Sequence, residues 1–501
     1  MSTSGSCDVG RTLRCTFGFV TASFAPYLRD GLVIVVKQEC ATCVMVVPVI
    51  AALQAGDVPV TLLVQDDATF LGGLPHAFDT DLAFSWHHEI ETVPTVIRVV
   101  EGVEVDRTVG WVRSEWQRVT GRDSLGTELP AFRPGCGSLS VDPDRVDTLR
   151  ARFSGSTLAA RRVEFAQLED EIEAMFERGW TDGLPVVPPT EERVLRMLEG
   201  TTRAPSEVAA VVPPDLVDVT IEKIAINAVM AGCKPEYLPW VIAAVEAACT
   251  DEFNIHGVLA TTMPVGPVVI CSGPGTRAIG MNGDGNVLGQ GNRANMTIGR
   301  ALQLVIRNVG GGRPQGVDRA THGNPGKLGF CFPENETDSP WAPFGVSRGV
   351  APGANAITLF AGEGPHTVVD QKSRTAESLA ASFAARLRGM QHPKLVLAFD
   401  VLLVIGPEHA RVFNESGWDR QRLHDELQAR LQIPGSELVV GAGGIAEGIG
   451  AAFADQTLPK FRPGGIMIVH AGGTAGLFSA IIAGWANGST GSQPITKEVT
   501  P

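Results

Sequence analysis

The chain has 501 residues and a formal charge of −14, with 44% hydrophobic and 19% charged residues. At roughly 100–200 residues per domain this length calls for two or three domains. The acidic balance and the lack of a long basic run exclude nucleic acid and anionic membranes as expected partners. The content of 57 Gly and 33 Pro implies many loops between short elements, and nine scattered cysteines, an odd number, fit reduced thiols better than a disulfide framework. Met1 to Arg11 lack the apolar core of a secretion signal, and no apolar run reaches the roughly 18 residues of a membrane span, so a cytoplasmic protein is expected.

In chain order, the first informative stretch is Val33-Ile-Val-Val-Lys-Gln-Glu-Cys40-Ala-Thr-Cys43-Val-Met-Val-Val-Pro48. A β-branched strand ending before Cys40 places that thiol at the mouth of the next helix, where unpaired N–H groups and the dipole stabilise a thiolate. Cys43, one turn on, can close a disulfide with it. A structural zinc site needs a second ligand pair, and there is no other Cys-x-x-Cys, so redox chemistry ranks above zinc. Glu39, beside Cys40, is expected to raise the thiol pKa if the two are close. Thr92-Val-Pro94-Thr95 and the following residues to Trp111 read as strand, tight turn at Glu101-Gly102, strand.

Residues 11–120 resemble the thioredoxin family through Cys40-Ala-Thr-Cys43, Pro48 in the following helix, and Val93-Pro94-Thr95 at the family's cis-proline position. The resemblance implies that Cys40 attacks a disulfide or accepts sulfur and that Cys43 resolves. It also implies that Pro94 follows a cis bond beside Cys40, in a loop that holds the partner's backbone. Gln38-Glu39 departs from the aromatic and Trp usual at that place.

Residues 121–162 read as a linker with some order. Within it, Cys136 sits between two glycines, which leaves it accessible, either as a turn cysteine without a role or as a third thiol exchanging with the Cys40–Cys43 pair. A larger layered α/β domain is expected over 163–490. It opens with helical spacing from Val163 to Phe176, and helices follow over Val217–Met230 and Tyr237–Ala248. Cys233 and Cys249 read as packing residues. Continuous apolar runs at Val268–Cys271, Leu395–Phe399, Val401–Ile405, Leu438–Val440 and Ile466–Val469 suggest strands covered on both faces.

The densest stretch for chemistry runs from His256 to Asn295, with a helix expected from Met296 to Val309. A glycine-rich loop entering a helix presents N–H groups to an anion, with Arg293 as a clamp and Asn292 and Asn295 beside it. His256, His322 and His366 stand in Gly- and Pro-rich loops and are candidates for proton transfer, while Cys271 or Cys331 could offer a thiol for the first domain to reduce. Gly472-Gly473 after the last apolar strand is a second candidate anion loop, and Gly406-Pro-Glu-His409 a third. Nucleotide fingerprints are lacking, and His spacing supports no metal site. Residues 165–485 are similar to a family of uncharacterised bacterial proteins through Ala225-Ile-Asn-Ala-Val-Met-Ala-Gly-Cys233, Ala294-Asn-Met-Thr-Ile-Gly-Arg300 and Thr321-His-Gly, which brings no catalytic residue with it.

The expected function is a two-domain thiol–disulfide enzyme, with no cofactor beyond a redox-active disulfide, acting on a small anionic substrate. A thiol–disulfide protein is a further candidate partner; metal requirement and oligomeric state stay open. One alternative is a non-redox lyase or hydrolase, with or without a metal, whose first domain only docks. Another is a thiol–disulfide interaction protein with no substrate chemistry in the large domain.

Overall fold

The computed structural model describes residues 29–153, 158–161, 163 and 170–501. The chain divides into two compact units at residues 156/157. Residues 11–28 of the expected first domain, and residues 164–169 of the helical stretch expected over Val163–Phe176, lie outside the described residues.

The first unit comprises β1 (Gly31–Val36), α1 (Ala41–Met45), α2 (Val47–Gln54), β2 (Val60–Val64), β3 (Ala77–Phe78), α3 (Ala83–His87), β4 (Thr92–Val93), β5 (Thr95–Val100), β6 (Val103–Val109), β7 (Trp111–Val112), α4 (Arg113–Thr120), β8 (Phe132–Arg133), β9 (Cys136–Gly137) and α5 (Val146–Phe153). The sheet order is β3-β2-β1-β5-β6, with β1 parallel to β2 and antiparallel to β5. Central β1 is the Leu-Val-Ile-Val-Val run, buried on both faces as a continuous apolar strand must be. Pro48, at the second position of α2, cannot donate a helical N–H, and the helix breaks at Val46, which separates α1 from α2. Trp111 and Trp116 pack edge to face, 5.1 Å apart, and both satisfy their indole N–H on backbone carbonyls, those of Pro130 and Gly110.

Residues 121–141 are not the linker that their polar composition suggested. β8 pairs with β7, and β9 pairs with β4, so this segment is a strap built into the first unit. Buried Gln65 anchors it, donating to Ser138 Oγ (2.6 Å) and accepting from Leu139 N–H (3.1 Å).

The second unit opens with α6 (Glu171–Glu177), α7 (Glu191–Leu198), β10 (Val208–Val212), β11 (Val217–Thr220), α8 (Ile221–Ala231), α9 (Leu238–Ala248) and α10 (Ile255–Ala260). The expected helix from Val217 starts four residues late. Val-Asp-Val-Thr alternates as a strand paired with β10, and Thr220 caps α8 by accepting from Lys223 N–H. Two similar halves follow. The first is β12 (Gly266–Ser272), α11 (Gly275–Ala278), α12 (Arg293–Asn308), β13 (Phe330–Pro333), α13 (Phe344–Ser347), β14 (Ala356–Gly362) and β15 (His366–Val369). The second is α14 (Ala376–Arg388), β16 (Phe399–Ile405), α15 (Pro407–Glu415), α16 (Arg420–Arg430), β17 (Gln432–Pro434), α17 (Gly435–Val439), β18 (Thr457–Pro459), β19 (Ile466–His470), β20 (Phe478–Ala486) and β21 (Ile495–Glu498). Leu438–Val440, expected as a strand, lies mostly in α17, because Pro434-Gly435 turns the chain into a short helix. Leu395–Ala398 precede the sheet rather than join it, with Leu397 at positive φ.

Each half repeats one topology. β12 is parallel to β13 and antiparallel to β14, and β16 is parallel to β19 and antiparallel to β20. β14 meets β20 only at Gly362 opposite Gly484, while β15 pairs with β20 and β21 with β14, so each half lends a strand to the other. Strand periodicity divides the burial. Val268, Ile270, Leu402, Val404, Met467 and Val469 form an inner core shared by both halves. Val269 and Cys271 pack outward with α8, α9 and α12, and Val401, Leu403 and Ile405 with α14, α15 and α16. At Gly484 a Cβ would lie 2.7 Å from the Asp400 carbonyl oxygen and 2.8 Å from the Phe360 ring, so the junction requires glycine. Gly484→Ala should therefore cost about 1–3 kcal/mol in denaturant unfolding; an unchanged midpoint would mean that the halves do not depend on this close approach.

Candidate functional site

In the first unit Cys40 is the N-cap of α1, and its Sγ accepts from Cys43 N–H at 3.4 Å. Asp66 holds the approach to it, accepting from Gln38 N–H at 2.7 Å. The Val93–Pro94 bond is cis, as expected, and Cys40 Sγ lies 3.4 Å from the Val93 carbonyl oxygen. The Cys40 thiol is pushed down to about 5. A hydrogen bond from the Cys43 thiol is the largest cause; burial opposes it, and the Cys136 thiol and the N–H groups of Cys43 and Thr42 assist. Glu39 does not raise this thiol: it is exposed, and the donors around the sulfur decide its charge. Cys43 moves far up, through burial and then its bond to Cys40. Cys40 is thus the thiol that ionises first, giving up its bond to the Val93 carbonyl oxygen, and Cys43 stays the protonated donor. Both cysteines are free in this structure.

In the second unit the expected residues separate into two groups. Asn292 caps α12, accepting from Asn295 N–H at 3.0 Å and donating to Gly280 O at 2.8 Å. Asn295 donates to Asn282 O (2.9 Å) and accepts from Asn282 N–H (3.1 Å), so it clamps the glycine-rich loop. Arg293 is occupied by the carbonyl oxygens of Gly232 and Cys233. These residues lie beyond the end of β12. The segment carrying exposed His322 attaches at its start, through Thr321 N–H to Thr262 O and Asn324 to Pro264 O. His256 sits exposed on α10, and His366, also exposed, meets Glu363 at 2.7 Å next to Gly362. Seven residues of strand separate the two ends by about 20 Å, so Arg293 and the three histidines do not form one pocket.

The two glycine loops, by contrast, come together. Gly472 N–H donates to Gly283 O at 2.9 Å, and Gly473 packs on Gly285. Here the ends of β13 and β19 also meet, with Asn335 N–H donating to His470 O at 2.8 Å. His470 is fully buried, and its Nδ1 lies 2.9 Å from Asn335 O. A carbonyl can only accept, so Nδ1 carries the proton and Nε2 is a bare lone pair, with no partner in this structure. Burial pushes this imidazole down and keeps it neutral. Asn335 also donates to Asp284 at 2.7 Å. Glu334 is buried against Arg420 (2.8 Å) and accepts from Phe344 N–H; burial outweighs the guanidinium and pushes the carboxyl up to about 7. A neutral imidazole and a carboxyl near neutrality, flanked by amides and a half-buried Arg, can exchange protons with a polar ligand.

Of this site the sequence singles out only the Gly472-Gly473 loop, and it gives no role to Glu334, His470 or Arg420. The usable signal was the Gly472-Gly473 turn directly after an apolar strand. Cys271 and Cys331 are 3.7 Å apart in the core, and burial raises Cys331 strongly. Cys233 is pushed up to about 12 by burial and bonds Thr297 O, so neither Cys331 nor Cys233 is a reactive thiol. Among the described residues no three His, Cys, Asp or Glu side chains gather as a metal-binding group, and no helix is long and apolar enough to cross a membrane. Family models, curated proteins and solved structures contain no match to this chain.

Glu334 supplies a test with a definite sign. Its folded value of about 7 lies above the ordinary 4.5, so its contribution to stability is complete below pH 4.5 and is lost as pH rises through 7. Glu334→Gln should lose less stability than the native chain over that window; equal slopes in denaturant titrations across pH would contradict the buried, near-neutral carboxyl.

Proposed function

We propose that the chain is a thiol–disulfide redox enzyme whose first unit is thioredoxin-like and relays electrons or sulfur through Cys40 and Cys43. The relay serves a reductive or sulfur-transfer reaction on a small anionic substrate in the second unit. The observation that carries this reading is the Cys40 thiol, held as a thiolate at a helix N-cap by Cys43 and facing the Val93–Pro94 turn. A thiolate at neutral pH is the nucleophile that disulfide exchange needs. Strand order β3-β2-β1-β5-β6, with the dithiol following the central strand, supports the thioredoxin-like assignment. Fusion makes the relay intramolecular, at an effective concentration near millimolar.

A second reading for the larger unit rests on a separate observation: burial holds the Cys233 and Cys331 thiols protonated, whereas Glu334, Arg420 and His470 gather acid–base chemistry at the strand ends. In that reading it is a non-redox lyase or hydrolase, and the first unit docks or stabilises. Reduction of a small disulfide by the full-length protein, driven by a dithiol reductant, separates the two. The redox reading expects turnover that falls to background in Cys40→Ser. Turnover unaffected by Cys40→Ser, or none in the native chain, supports the second.

A further inference from the structure

We infer that Cys136 is the port through which the covered dithiol exchanges, forming the first disulfide with Cys40, and that the outside partner is a low-molecular-weight disulfide. The inference rests on Cys40 being a redox thiol, as proposed above. Cys40 and Cys43 are both 0% exposed, whereas Cys136 is only half-buried. The pairing of β9 with β4 sets Cys136 opposite Val93, the residue whose carbonyl oxygen touches Cys40 Sγ. The two thiols are within hydrogen-bond reach, and Ala41 N–H at the start of α1 also bonds Cys136.

The strap that carries Cys136 is a fitted cover. Thr42 Oγ1 donates to Pro134 O at 2.6 Å, Ser138 N–H to Glu91 O at 2.9 Å, and Gln65 holds Ser138 and Leu139. At Gly110 a Cβ would lie 2.7 Å from Gly135 N, and at Gly135 one would lie 2.7 Å from Val93 O. With the strap seated, Cys136 is the one sulfur of the three that a solute can reach. Because β9 already pairs with β4, an extended polypeptide cannot take that place beside Cys40, which favours a small disulfide over a protein.

The exchange balances. Cys136 passes its proton to the Cys40 thiolate and attacks one sulfur of R–S–S–R′, and R′–S⁻ leaves and takes the proton from Cys40. Cys40 then attacks Cys136 Sγ, which releases R–S⁻ and leaves the Cys40–Cys136 disulfide. Finally Cys43 gives its proton to R–S⁻ and attacks Cys40, freeing Cys136. Two electrons pass from the Cys40–Cys43 dithiol and two protons from Cys136 and Cys43 to the small disulfide, and the Cys136 thiolate left at the end regains its proton from water. Burial of Cys43 makes the last step the slowest, so the Cys40–Cys136 bond accumulates first.

Full-length reduced protein is mixed with oxidised glutathione, quenched by alkylation at intervals and mapped by peptide mass. The expected first product is Cys40–Cys136, which persists as the end product in Cys43→Ser, and Cys136→Ser should slow oxidation of Cys40 about tenfold or more. Thermal unfolding and circular dichroism of Cys136→Ser and Cys136→Ala verify that the strap variants fold. If Cys136→Ser is oxidised directly to Cys40–Cys43 at the native rate, the port is wrong while the redox reading stands. If no thiol of the native protein reacts, both fall.

Discussion

A charged sulfur in a closed site depends on the donors aimed at it, and the first unit is built around that constraint. Cys40 is fully covered, yet it sits where α1 begins, with the N–H groups of Cys43 and Thr42 and the thiols of Cys43 and Cys136 directed at it. Removing the sulfur from water disfavours the thiolate; several hydrogen bonds to the charged form reverse that balance. The same arrangement divides the labour between the cysteines: burial and then the bond to Cys40 raise Cys43, and the bond to Cys40 with burial raises Cys136. The rigid parts around it follow: a doubly buried central strand, a helix broken at Pro48, and a strap stitched down by Gln65.

The second unit obeys a different constraint. Two halves, each too small to bury both faces of its own strands, share an inner core and exchange β15 and β21 across the Gly362–Gly484 crossing. That exchange brings the ends of β13 and β19 together, and the polar groups collect there: Glu334 with Arg420, Asn335 with Asp284, His470 with a free lone pair. Loops at strand ends on a rigid scaffold can carry such groups without disturbing the core, which explains how fully buried titratable side chains persist there.

Much of the first unit was legible because its signals are local. Cys40 and Cys43 are one helical turn apart, the β-branched run before them specifies a strand, and Val93-Pro94 follows in order. Cys136 was conspicuous between its glycines, but its partner was not, since nothing in 121–141 states that it pairs with a strand some forty residues earlier. In the second unit the α/β class was readable from continuous apolar runs, whereas the site was not. Arg293 and the histidines share a loop-rich region of sequence, but α12 and β12 carry them to opposite ends of the sheet. Glu334 and Arg420, 86 residues apart, meet only because the two halves interlock. The repeat itself was hidden because it is one of strand order, with no short period in the residues.

The charge state of Cys40 is the point on which the account turns. Thiolate absorbance of the native chain, taken as a difference against Cys40→Ser across pH, measures it directly. The account predicts a transition centred near 5, from the donors around the sulfur. A transition near the ordinary thiol value of 9 would contradict it, leaving Cys40 a protonated core residue without nucleophilic character.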